Sequence, residues 1–170
     1  QARILSGIKS FYKYLQFEDL ITHDPTALLQ GPKLGRKLPD TLDYEEIVRL
    51  LEAIDLSAPD GQRNRAILEV LYSSGLRVSE LVELKRSNLY FDLGFLRVVG
   101  KGNKERLVPI GRDAMKYLRI YLDQVRDQMT IKKGFENHVF LNRRGTKLSR
   151  VMIFLIIKSD ELLVLQQHIL

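Results

Sequence analysis

The sequence predicts a mainly α-helical protein with one small antiparallel β-sheet. Three observations carry this. Apolar side chains recur at helical spacing through most of the chain. Two β-branched runs, 95–99 and 105–110, flank the tight turn GKGN. Helix punctuation falls where the periodic runs begin and end: Asp43 with Glu46, then Gly75, then Ser149.

Residues 3–16 place Ile4, Leu5, Ile8, Phe11, Tyr12 and Leu15 on one helical face. No capping residue precedes them, so the chain is expected to begin inside a larger element. His23-Asp24-Pro25 breaks the pattern. The stretch QGPKLGRKLPD, residues 30–40, has two glycines, two prolines and three basic residues with little to bury. It reads as a linker suited to a path along a polyanion. The expected organisation is an N-terminal piece over 1–30, a basic linker over 31–40 and a domain over 41–170.

Within 41–170, Asp43 caps a helix over 44–54 and Glu46 completes a capping box. A helix over 62–73 ends at Gly75, a residue suited to the left-handed C-terminal position. Residues 78–84 form a helix with Leu81, Val82 and Leu84 inward. Strands at 95–99 and 105–110 follow, then a helix over 112–129 with Met115, Leu118, Tyr121, Leu122 and Val125 on one side. HVFLN, residues 138–142, reads as a short strand. Arg143-Arg144-Gly145 turns the chain, and Ser149 caps a last apolar helix.

The 170 residues are 45% apolar and 28% charged, as in ordinary globular proteins. No cysteine is present, which excludes disulfides and thiolate metal sites. His23, His138 and His168 are too scattered to hold a metal. No apolar run reaches 18 residues, and no signal peptide opens the chain, so no membrane partner and a cytoplasmic location are expected. A net charge of +6 favours an anionic partner, most commonly nucleic acid.

Two stretches point to chemistry. In SSGLRVSELVEL, residues 73–84, Arg77 follows a helix-ending glycine and sits between apolar Leu76 and Val78. A guanidinium near the core must be paired or must face an anion. Glu80 lies on the same helical face and can hold it. The blander alternative is an Arg77–Glu80 surface pair. In VVGKGNKERLVPI, residues 98–110, Gly100 and Gly102 permit positive φ, and Asn103 tolerates it. Lys101, Lys104 and Arg106 ride on or beside this turn, which can deliver a lysine into a groove. The alternative is a solvated turn. No aromatic platform flanks it, so RNA binding is disfavoured.

These two stretches, LYSSGLRVSELVELKRSNLYF (71–91) and LRVVGKGNKERLVPIG (96–111), resemble the tyrosine recombinases, or phage-type integrases, and most closely the Xer-like branch. LDYEEIVRLL and VFLNRRGTKLS also resemble family segments, and residues 1–30 resemble the end of its N-terminal core-binding domain. The resemblance implies site-specific recombination or integration of double-stranded DNA through a 3′-phosphotyrosine, with no metal or other cofactor and with a homo- or hetero-multimer on DNA. Arg77 would clamp the scissile phosphate, Glu80 would orient Arg77, and Lys101 would protonate the leaving 5′-oxygen. Lys33, Arg36, Lys37, Lys85, Arg86, Lys104 and Arg106 would contact the DNA backbone.

The family pattern also requires a His-x-x-Arg box and a late tyrosine nucleophile. The seven tyrosines are 12, 14, 44, 72, 90, 117 and 121, and no His-x-x-Arg is present. His168-Ile169-Leu170 would need one further arginine to make that box, and its spacing from Lys101 is short. Tyr117 and Tyr121 read as packing residues. The tail 159–170 departs from the family pattern. The expectation is a partial catalytic domain, truncated at its C-terminus, inactive alone and with an uncovered last helix. The alternative is a non-catalytic DNA-binding remnant or regulator of the same fold.

Overall fold

The computed structural model describes residues 1–32 and 41–167, with side chains except at 101 and 160–167. The chain divides into two compact units, Gln1–Thr41 and Leu42–Leu170.

In the first unit, α1 (Ala2–Phe17) has no side-chain cap at its start and no buried residue. Ile4, Ile8, Phe11 and Tyr14 are exposed. Downstream, the Asp24 carboxylate accepts the Thr26 N–H at 2.7 Å and the Thr26 hydroxyl at 2.6 Å. This turn buries Thr26.

The second unit carries α2 (Tyr44–Glu52), α3 (Gly61–Ser74), α4 (Val78–Val82), β1 (Leu89–Tyr90), β2 (Phe95–Val99), β3 (Glu105–Pro109), α5 (Arg112–Gln124) and α6 (Arg150–Gln167). The three strands pair antiparallel in the order β1-β2-β3. Both bonds of the expected capping box are made: Asp43 accepts the Glu46 N–H, and Glu46 accepts the Asp43 N–H, each at 2.8 Å. Ser149 caps α6 through the Met152 N–H at 3.2 Å.

α3 and α5 pack together and, with the inner face of the sheet, enclose the main core. Ala66, Ile67 and Val70 come from α3, Leu118, Tyr121 and Leu122 from α5, and Leu96 and Val98 from β2. Full burial of each large apolar side chain contributes about 1.5–3 kcal/mol. Cross-strand partners share a face, so Leu96 and Val108 sit together in the core, while Val98 lies opposite an Arg106 that remains exposed.

Four sequence expectations are corrected. The helix over 78–84 stops at Val82, although Leu84 is still buried. The helix over 112–129 stops at Gln124, and a 3-10 turn, Arg126–Gln128, follows. β1 was not anticipated. HVFLN is not a strand: it makes only single bridges, Lys85 with His138 and Leu141 with Lys147.

One residue accounts for two of these corrections. Arg126, 1% exposed, turns inward at the end of α5. Its guanidinium donates to the carbonyls of His138 at 2.9 Å, Val139 at 3.2 Å and Glu136 at 2.5 Å. The Leu141 N–H is bonded to the Tyr121 hydroxyl, and the Val139 N–H to the Leu84 carbonyl. The backbone groups of 138–141 are thus largely satisfied without a strand partner, which buried polar groups require.

Candidate functional site

The site is built by a reversal and a hairpin. Gly75 adopts φ +57°, ψ +31°, a conformation that costs little only without a side chain. The chain doubles back, Leu76 enters the core and Arg77 opens α4. The Arg77 guanidinium turns away from the core. Its side chain is 74% exposed, so pairing is not forced on it by burial.

Glu80 is the buried member, with its side chain 3% exposed. Its carboxylate accepts the Arg77 N–H at 2.8 Å and the Arg77 guanidinium at 3.1 Å. It also accepts two bonds from Arg106, at 2.7 and 3.0 Å. A buried carboxylate is tolerated when its lone pairs are filled in this way. The Arg106 hydrogen bonds, followed by those from Arg77, hold the Glu80 carboxyl at about 2 against the opposing effect of burial. Glu80 in turn raises the Arg106 guanidinium.

The hairpin turn of residues 100–104 closes through the Gly100 N–H on the Lys104 carbonyl at 2.8 Å. Gly102 and Asn103 take positive φ, 73° and 58°. Gly100 does not: its φ is −97°. A Cβ at Gly100 would lie 3.5 Å from Glu80 Oε1 and 3.6 Å from an Arg106 nitrogen, so this residue faces the carboxylate–guanidinium cluster.

Between α4 and the hairpin lies a cleft of about 610 Å³ lined by Arg77, Ser79, Glu80, Glu83, Val99, Gly100, Lys104, Glu105 and Arg106. The structure therefore brings Arg77, Glu80, Lys104 and Arg106 together. Lys101 belongs to the hairpin turn by its backbone, and its side chain lies outside those described. Lys33, Arg36, Lys37 and His168 also lie outside the described residues.

Lys85 and Arg86 stand apart from the cleft lining. Arg86 pairs with Asp127 at 2.5 Å. The Lys85 ammonium lies 2.6 Å from His138 Nε2, which accepts its proton bond. Burial first, and then the Lys85 charge, lower the His138 pKa. Tyr121 is fully buried and Tyr117 lies under the Arg65 guanidinium, as packing residues do.

Sequence reasoning missed Glu83 and the role of Arg106. A signal for Arg106 was available. It is in phase with the buried Val108 and Ile110, and a charge on the face of a strand that leads into the core calls for a counter-charge.

The family model of the phage integrase family matches residues 40–162, most of the chain and all of this cleft. The chain belongs to the phage integrase family. The tyrosine recombinase XerD of Staphylococcus haemolyticus is 44% identical over 158 residues, 93% of this chain and 53% of that protein. This phage integrase chain thus spans about half the length of the curated relatives it matches. The crystal structure of XerA recombinase superposes with a TM-score of 0.64 at 27% identity, over 92% of this chain and 52% of XerA. The XerH site-specific recombinase bound to its difH substrate, a pre-cleavage complex, gives 0.64 at 25% identity over 75% of this chain and 37% of XerH. A lambda integrase dimer bound to a core site shares the fold at a TM-score of 0.70 and 19% identity, over 96% and 57%.

Proposed function

We propose that the chain is the greater part of the phosphate-handling half of a site-specific DNA recombinase. The single observation carrying this is the Glu80 carboxylate, which fixes two arginines on opposite walls of one cleft, under the hairpin that bears Lys101. In this reading a DNA strand lays its scissile phosphate at Arg77. A tyrosine hydroxyl supplied beyond these residues attacks phosphorus and gives up its own proton to water. The new bond is a 3′-phosphotyrosine, and the bond to the 5′-oxygen breaks. Lys101 gives its proton to that oxygen, releasing a 5′-hydroxyl. The reverse attack by another strand's 5′-hydroxyl rejoins DNA, so bond energy is conserved and no cofactor is invoked.

Negative charge grows on the non-bridging oxygens in the transition state. A guanidinium held in place answers it, and loss of one such donor typically costs roughly 3–4 kcal/mol. Glu80 acts only through the arginines. Lys104, Arg106 and the linker residues Lys33, Arg36 and Lys37 are assigned to backbone phosphates, as are Lys85 and Arg86 at the margin. Residues 1–30 are read as the end of a core-binding domain and 41–170 as part of the catalytic domain. The partners are double-stranded DNA and further recombinase protomers, in the cytoplasm.

The test is a chimaera in which the Staphylococcus haemolyticus relative supplies the remaining length. Lys101→Ala in that protein is expected to abolish strand cleavage and leave DNA affinity nearly unchanged. Equal loss of both would reduce Lys101 to a phosphate contact.

A further inference from the structure

Glu83 is one of three carboxylates of the cleft, and it is held quite differently from Glu80. It caps the C-terminal end of α4, and its side chain is 51% exposed. Lys147 donates to its Oε1 from the turn after residue 142. His138 Nε2 lies 3.6 Å from Oε2, beyond hydrogen-bonding reach, and accepts from Lys85 instead. Lys147 is therefore the cation that neutralises Glu83, and its hydrogen bond is the chief cause of the lowered Glu83 pKa.

We propose that Lys147, bonded to the cleft-lining Glu83, is a DNA-phosphate contact beside this cleft, occupied by Glu83 in the free protein and released to a phosphate when DNA enters. The inference rests on the reading of the cleft as a phosphate site. Its backbone is fixed: residue 147 bridges Leu141, and the Asn142 N–H bonds the Thr146 carbonyl at 2.8 Å. Its side chain is not fixed, being 40% exposed on a four-carbon stem. An exposed lysine–carboxylate pair is worth only about 0.2–1 kcal/mol. A phosphate with its condensed counterions competes well against so weak a partner. Glu80 cannot behave this way, because four hydrogen bonds from two arginines hold it in a nearly dry position.

The experiment is fluorescence anisotropy of a labelled random-sequence DNA duplex against the 170-residue chain, over a KCl series. Lys147→Ala is expected to weaken binding about twofold to fivefold. It is also expected to flatten the log–log salt slope by about 0.9, the effect of one lost phosphate contact. Lys147→Gln, which keeps the stem, behaves alike, and Lys147→Arg restores both quantities. Glu83→Gln tightens binding by a similar factor, and that gain vanishes when combined with Lys147→Ala. Unchanged affinity and slope in Lys147→Ala and Lys147→Gln would overturn the inference while the DNA reading stands. A Glu83→Gln gain that survives beside Lys147→Ala would also overturn it, since Glu83 would then act by repulsion alone. No binding of the duplex by the unsubstituted chain, even at low salt, removes the DNA reading and this inference with it.

Discussion

The Glu80 carboxylate grips the Arg106 guanidinium through two hydrogen bonds, 2.7 and 3.0 Å, joining α4 to β3 across 26 positions of chain. This clamp sets where the hairpin sits against the Arg77 wall. Glu80→Gln removes the charge and leaves two guanidinium groups facing a buried amide. We expect a loss of roughly 2–4 kcal/mol in urea unfolding followed by circular dichroism. A loss below about 1 kcal/mol would mark the cluster as an ordinary surface pair.

The same clamp gives a pH dependence with a defined sign. The Glu80 carboxyl is lowered from 4.5 to about 2 on folding. Its contribution is therefore fully present above the unfolded value and is lost as pH falls from 4.5 toward 2. Thermal melts should show the unsubstituted chain losing stability across that acid window. In Glu80→Gln this part of the loss should be missing.

Tyr121 is read as structural and not as a nucleophile. Its hydroxyl accepts the Leu141 N–H at 3.1 Å, and its ring stacks on Phe140 at 5.6 Å between centroids. Tyr121→Phe strands a buried backbone donor and should cost about 1–3 kcal/mol of stability. In the completed chimaera, strand cleavage measured below its melting temperature should persist.

The two hairpin glycines should part company. Gly102, at φ +73° with open space around it, suffers only backbone strain on substitution. Gly102→Ala should cost about 1–2 kcal/mol. Gly100→Ala, at φ −97° and with neighbours no closer than 3.5 Å, should leave stability nearly unchanged. Paired denaturation curves check both.

What the sequence made legible is what local chemistry dictates. The Asp43–Glu46 box, the left-handed Gly75, the Ser149 cap and the strand at 95–99 each depend on residues within a few positions. The Arg77–Glu80 pair, three residues apart, was visible for the same reason. What escaped depends on partners far along the chain. HVFLN has strand composition, yet its carbonyls are taken by Arg126, a residue that helical periodicity placed inside a longer α5. β1 is two residues long and leaves no periodic signal. The Arg106–Glu80 bond escaped because it joins residues 26 positions apart, on α4 and β3. The Glu83–Lys147 pair, 64 positions apart, had no sequence signature.

In the proposed reaction the hairpin delivers Lys101 as the acid for the leaving 5′-oxygen. Sulfur in place of that bridging oxygen makes the most direct test, because a thiol, with a pKa of about 8.5, departs without a proton donor. In the completed chimaera, Lys101→Ala should cut an ordinary duplex roughly 100-fold or more slowly than the unsubstituted protein. On a duplex with a 5′-bridging phosphorothiolate at the scissile position, the two proteins should cut at nearly the same rate. An equal defect on both substrates would contradict the account and leave Lys101 without a role in proton transfer.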